Sequence, residues 1–146
     1  MDAGIIRIKD PENAIPIMDY HMQRVLLRMG CAEVLDSGLK NKLMNREHLD
    51  SDSEVRKACI EAVRVISKES GHPIMKINDF FWSLGRSCCN ETTLCNDRMC
   101  IKEPCTFNLM VEIDSHEKCT FETSCKGAQD NSYRSLWEPI IKTHYY

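Results

Sequence analysis

The stretch Phe80-Phe81-Trp82-Ser83-Leu84-Gly85-Arg86-Ser87-Cys88-Cys89 decides how this chain is read, because it joins an aromatic helix end to a segment that holds seven of the nine cysteines. Those seven are Cys88, Cys89, Cys95, Cys100, Cys105, Cys119 and Cys125. The segment has neither helical nor alternating apolar periodicity. It buries too little apolar surface to offset its ordering entropy, so crosslinks are expected, either disulfides or a metal centre. Three features favour metal. Met1 to Arg7 carries no apolar leader, which predicts a reducing compartment, cytoplasmic or nucleoid-associated; the cysteine count is odd; and the spacings are short. Four residues separate Cys95 from Cys100 and Cys100 from Cys105, and five separate Cys119 from Cys125, so several thiolates can converge on one centre. Cys31 and Cys59, outside the segment, read as small hydrophobes.

Working outward, the 146 residues suit one domain or part of a larger one, and a 42% hydrophobic content with few aromatics fits a helical protein. No apolar run approaches the ~20 residues of a membrane span. A net charge of −3 gives no global attraction to nucleic acid, so any basic surface has to be local. Asp10-Pro11 and Ile15-Pro16 signal turns, and Ile5-Ile6-x-Ile8 is a short apolar run. Asp19 is placed as the N-cap of a helix that carries Met22, Val25, Leu26 and Met29 on one face and His21, Gln23, Arg24 and Arg28 on the other, with Gly30 as its C-cap. A short helix is expected around Leu39 to Met44. Ser51-Asp52-Ser53-Glu54 has the form of a capping box, opening a helix that buries Val55, Ala58, Cys59, Ala62, Val63 and Ile66 and ends at Gly71. After His72-Pro73 a third long helix runs through Ile77, Phe80, Phe81 and Leu84 and stops at Gly85. Tyr133 to Ile141 reads as a short helix or docked arm limited by Pro139, and nothing after residue 18 requires strand pairing. The fold class expected is all-α, a helical domain over 1–86 followed by a cysteine-rich cluster loop over 87–127 and a C-terminal arm over 128–146.

In this order of elements the chain resembles the C-terminal half of helix-hairpin-helix DNA glycosylases of the endonuclease III type. Asp19-Tyr20-His21-Met22-Gln23-Arg24-Val25 is similar to that family's Asp-x-His-x-x-Arg-Val helix, and Gly85-Arg86-Ser87-Cys88-Cys89 to the Gly-Arg-x-x-Cys that opens its iron–sulfur loop. Cys119-Thr120-Phe121-Glu122-Thr123-Ser124-Cys125 matches the end of that loop. The resemblance implies a 4Fe-4S cluster, with Cys89 as first ligand and Cys119 and Cys125 as the last two. Cys105, which shares the local sequence Cys-Thr-Phe with Cys119, is the favoured remaining ligand, and Cys88, Cys95 and Cys100 are alternatives. A compact set of Cys89, Cys95, Cys100 and Cys105 competes with it. His116 stands where the family has a cysteine, with two residues between it and Cys119.

The resemblance also implies a part in DNA repair. Asp19 would stabilise charge developing on a flipped nucleotide's sugar, and Arg86, Lys102 or Lys126 would meet phosphates. The family's DNA-gripping hairpin and its lysine nucleophile belong upstream of Asp19, where 18 residues hold no such hairpin. A fragment, or a reduced relative needing a partner chain for base excision, is therefore expected, with DNA bound weakly by this chain alone. Two readings from other classes stand beside it: a zinc-binding interaction module, disfavoured by the lack of any Cys-x2-Cys, and an iron–sulfur redox sensor.

Overall fold

A computed structural model of the chain describes residues 9–10, 13–100, 102–113 and 115–142; the Ile5-Ile6-x-Ile8 run lies outside them. The protein is mostly helical, with a minimal two-stranded sheet. The order is α1 (Tyr20–Met29), α2 (Ser37–Met44), β1 (His48–Leu49), α3 (Ser53–Ser70), α4 (Ile74–Arg86), α5 (Leu94–Asp97), α6 (Lys126–Gln129), α7 (Asn131–Arg134) and β2 (Ile140–Ile141), with a 3₁₀ turn over Phe107–Leu109. No described helix is long and apolar enough to cross a membrane.

Helix α1 is central, and its sequence explains both ends. The Asp19 carboxylate accepts a hydrogen bond from the Met22 backbone N–H at 2.9 Å, and Gly30 closes the helix at φ +77°. Between the caps the sequence suggests one apolar and one polar face, but Gln23, Arg24 and Arg28 are 2%, 1% and 2% exposed. The cause is the neighbours: α3 and α4 cover the apolar side, while α6, α7 and the arm beyond them cover the basic side. Each buried cation has partners. Arg24 forms an ion pair with Glu138 at 3.0 Å and donates to Asn90 Oδ1 at 3.1 Å, and Arg28 donates to the carbonyls of Leu136 at 2.8 Å and Asn90 at 2.7 Å. Both guanidinium groups also lie near the Trp137 ring, at 5.7 and 4.8 Å from its centroid.

Helix α3 departs from the expected capping box. Its N-cap is Asp52, and the Ser51 hydroxyl accepts from Ser53 N at 3.1 Å instead of from the third turn residue. Its inner face buries Val55, Cys59 and Val63, with Ala62 and Ile66 half-buried and Ala58 exposed. Gly71 ends it at φ +69°, as the sequence predicts. Helix α4 runs one residue past Gly85, which is not its cap but a point of close approach to α1. The parallel pair His48 with Ile140 and Leu49 with Ile141 corrects the expectation that no strand pairing follows residue 18. It joins the connector before α3 to the arm that crosses α1.

Candidate metal centre

Helix α4 delivers the cysteines. As it ends, the Cys89 N–H bonds to the Leu84 carbonyl at 2.9 Å and the Leu94 N–H to the Cys88 carbonyl at 2.9 Å, so the vicinal pair sits in a tight reversal beneath α5. Cys88 is buried in the core cluster that also contains Cys105, while Cys89 is half-buried. The chain beyond is pinned by aromatics. Phe107 is fully buried, and the rings of Phe107 and Phe121 meet Phe80 of α4 edge-on at 5.3 and 5.8 Å. The two Cys-Thr-Phe repeats thus work alike: the phenylalanine docks on Phe80 and sets its cysteine two residues earlier beside the helical body.

The two cysteines go to different places. The ligand atoms of Cys100, Cys105 and His116 all lie within 4.8 Å of one another, a possible metal-binding group. Cys125 stands elsewhere, at the C-terminal end of α1. The Cys125 thiol reaches the Arg28 carbonyl at 3.9 Å, and Arg28 donates toward Cys89 Sγ at 4.0 Å. Cys119 and Cys125 are linked by a turn in which the Glu122 N–H bonds to Cys119 O at 3.0 Å and the Cys125 N–H to Phe121 O at 2.8 Å. Cys95, on α5, completes this neighbourhood, since its charge acts on both Cys119 and Cys125.

Electrostatics link the two groups through Cys88. Burial pushes the Cys88 thiol up to about 12; the Ser87 hydroxyl opposes this, while Cys105, Cys119 and Cys100 add to it. Burial takes Cys119 to about 11 against a hydrogen bond from the Phe121 N–H, with Cys95, Cys89 and Cys125 adding to the rise. Cys125 is raised by burial, opposed by the N–H groups of Ala128 and Gly127 at its sulfur. Cys89 is raised by burial, opposed by Arg28. Thiols that raise one another are thiolates that repel, and a cation among them reverses that balance. Outside the segment, Cys59 is fully buried and also pushed up to about 12 by burial, as a small hydrophobe should be, whereas Cys31 is exposed.

Of the expected ligands, Cys89, Cys119 and Cys125 therefore share one neighbourhood, and Cys105 is found with Cys100 and His116. The sequence contained a signal for the latter group: Cys100 and Cys105, with four residues between them, fall within the spacing that zinc ligands use. Asp19 is about ten residues along α1 from the cysteines, at the other end. Its neighbour His21 is half-buried, and burial lowers its imidazole; Asp19 opposes this, and Arg24 and Arg86 add to it. Among the cations expected to meet phosphates, Arg86 stacks over the Trp82 ring at 4.7 Å, and Lys126 is engaged by Glu33 at 3.5 Å and by Tyr133. The Lys102 carbonyl accepts from the Cys100 thiol at 3.9 Å.

Comparison with protein-family models, with curated proteins and with solved structures found no match.

Proposed function

We propose that the chain is an iron–sulfur protein akin to the C-terminal half of endonuclease III-type DNA glycosylases, all-α in plan, whose 4Fe-4S cluster is held by Cys89, Cys95, Cys119 and Cys125. The observation that carries this reading is the attachment of the set to one buried residue: Arg28 donates toward Cys89, and its carbonyl meets the thiol of Cys125. Fit to an anionic cluster is supported by the donors aimed at sulfur, namely Arg28 at Cys89, the Phe121 N–H at Cys119, and the Gly127 and Ala128 N–H groups at Cys125. Hydrogen bonds to the sulfurs of a cluster are among the levers by which a protein stabilises it. Cys95 replaces Cys105 as the remaining ligand because Cys105 is taken up with Cys100 and His116.

In this reading the cluster is structural. Helix α1 links it to Asp19, so the loop fixes the helix whose N-cap carboxylate would face a flipped nucleotide. Asp19 is rigid there because its Oδ1 already holds the Met22 N–H at 2.9 Å. Base excision additionally needs a DNA-gripping hairpin, supplied by further sequence or a partner chain. By itself the chain binds DNA weakly, through a few cations such as Arg86 beside Trp82, with affinities of roughly 10⁻⁴–10⁻⁶ M at physiological salt. Anaerobic purification tests the proposal. Brown protein with about four irons per chain, lost on Cys119→Ser or Cys125→Ser and kept on Cys59→Ser, is expected; iron-free, colourless protein after anaerobic expression with iron would sink it.

A further inference from the structure

We infer that the cysteine segment builds a second, separate centre: a structural zinc ion bound by Cys88, Cys100, Cys105 and His116. Three of the four ligand atoms are already assembled. Zinc–sulfur bonds of about 2.3 Å and zinc–nitrogen bonds of about 2.0–2.1 Å place the ligand atoms of a tetrahedron about 3.3–3.8 Å apart. The thiols of Cys100 and Cys105 and the imidazole nitrogen of His116 lie within 4.8 Å of one another, so a single ion fits after a small contraction. A four-iron cubane does not fit such a group, because its ligands bond to different irons and stand further apart.

The fourth ligand comes from the end of α4. The Ser83 carbonyl accepts two side-chain hydrogen bonds, from Ser87 Oγ at 2.7 Å and from Thr106 Oγ1 at 3.2 Å. Sharing that one acceptor brings the chain at Ser87 against the chain at Thr106, and with it their neighbours Cys88 and Cys105. Both thiols are buried in the same core cluster, and Cys100 packs against it. Cys89, by contrast, faces Arg28, which donates toward its sulfur at 4.0 Å. The vicinal pair is thus divided, one cysteine to each centre. The Cys-Thr-Phe repeats are divided in the same way, Cys105 to the zinc site and Cys119 to the other, although their rings meet each other and Phe80 in one aromatic cluster.

The donor set also selects the metal. Three thiolates and one imidazole form one of the closed four-ligand sets of structural zinc, which leave no open position for a substrate. The stretch between Cys100 and His116 then becomes a zinc-closed loop, and the site's work is to fold it onto α4.

This inference rests on the loop geometry and not on the iron–sulfur proposal, and metal analysis separates the two. The full chain, expressed with iron and zinc and purified anaerobically, is assayed for both metals, with helix content by circular dichroism as the folding control. About one zinc per chain is expected. Cys88→Ser, Cys100→Ser, Cys105→Ser and His116→Ala should each weaken zinc retention against a chelator by more than about tenfold, because even outer-shell changes cost that much. His116→Cys, which supplies a fourth thiolate, should retain it. Cys119→Ser should lose iron and keep zinc. Zinc-free folded protein, zinc kept in Cys88→Ser, or zinc lost from folded Cys119→Ser would each overturn the assignment. Absence of iron with zinc present would sink the cluster proposal and leave this one standing.

Discussion

Gly85 lies against the backbone of His21: a methyl group at Gly85 would come within 2.7 Å of the His21 carbonyl oxygen and 3.0 Å of Val25 Cγ2. The close approach lets α4 cross α1 near its start, so that the chain leaving α4 reaches the far side of α1 with Cys88 and Cys89. Gly85→Ala would push the helices apart at a backbone atom that cannot rotate away. Overpacking of this kind costs about 1–3 kcal/mol. Urea unfolding should show that loss, while Gly71→Ala, with open space around its Cβ position, should register only its positive-φ strain. An unchanged midpoint for Gly85→Ala would mean the helices separate freely.

Gly85 also shows what the sequence could and could not disclose. A glycine near the end of a helical pattern reads as a cap, and only the tertiary neighbour reveals it as a contact. Caps that depend on local chemistry were legible, as Asp19 and Gly30 on α1 and Gly71 on α3 show. Burial of Arg24 and Arg28 was not, because the residues that pair with them, Glu138 and the Leu136 and Asn90 carbonyls, lie over sixty residues away in sequence. The cysteine segment pointed to a metal by composition, and Cys100, Cys105 and His116 form a possible metal-binding group. Which cysteine joins which partner depends on the docking of Phe107 and Phe121 on Phe80, and no spacing rule encodes that.

Breaking the Arg24 to Glu138 pair should be costly. The guanidinium is 1% exposed and holds Glu138 through two contacts at 3.0 and 3.2 Å. Glu138→Gln would leave a buried cation without its counter-charge, and removing one partner of such a pair destabilises by about 3–5 kcal/mol. Arg24→Met combined with Glu138→Gln should recover much of that loss, since it removes the stranded charge. A double-mutant cycle in urea measures both. A single-mutant cost under about 1 kcal/mol, typical of surface pairs, would show that the arm carrying Glu138 is not held over α1.

Acid should weaken the junction of α1 and α3 through Asp52. Burial opposes ionisation of its carboxyl, but hydrogen bonds from Arg56 and Gln23 outweigh this and hold it below the ordinary value of 3.8. Arg56 bonds to it at 2.9 and 2.5 Å and also reaches the Met18 carbonyl, and Tyr20 and Glu138 line the same cleft. A depressed folded pKa means that the stabilisation is complete above the unfolded value and is lost as the pH falls through 3.8 toward the lower folded value. The stability difference between the protein and Asp52→Asn should therefore be largest near about pH 6 and shrink toward about pH 3. A difference that stays constant over that window would mean that the charge on Asp52 contributes nothing.

Removing the metals should release residues 87–126 and spare the helical body. Two anchors compete to hold that segment. Burying Phe107 and half-burying Phe121 contributes about 1.5–3 kcal/mol for each fully buried ring, plus about 0.5–1.5 kcal/mol for each edge-on pair with Phe80. Structural zinc at the proposed site would contribute about 10–16 kcal/mol of apparent binding energy, so on that proposal metal dominates. Helices α1 and α3 bury Met22, Val25, Leu26, Cys59 and Val63 against one another and α4, in a cluster to which the cysteine segment adds Cys88, Leu94, Cys105 and Phe107. Hydrogen exchange after chelation should accordingly show protection lost at Cys119 to Cys125 and at Leu94 to Arg98, with protection in α1 and α3 largely kept. Phe107→Ala with metals bound makes the reverse test, and it should leave Cys119 to Cys125 protected. Protection across 87–126 that survives chelation but falls in Phe107→Ala would show that the aromatic dock, and not a metal, orders the cysteines.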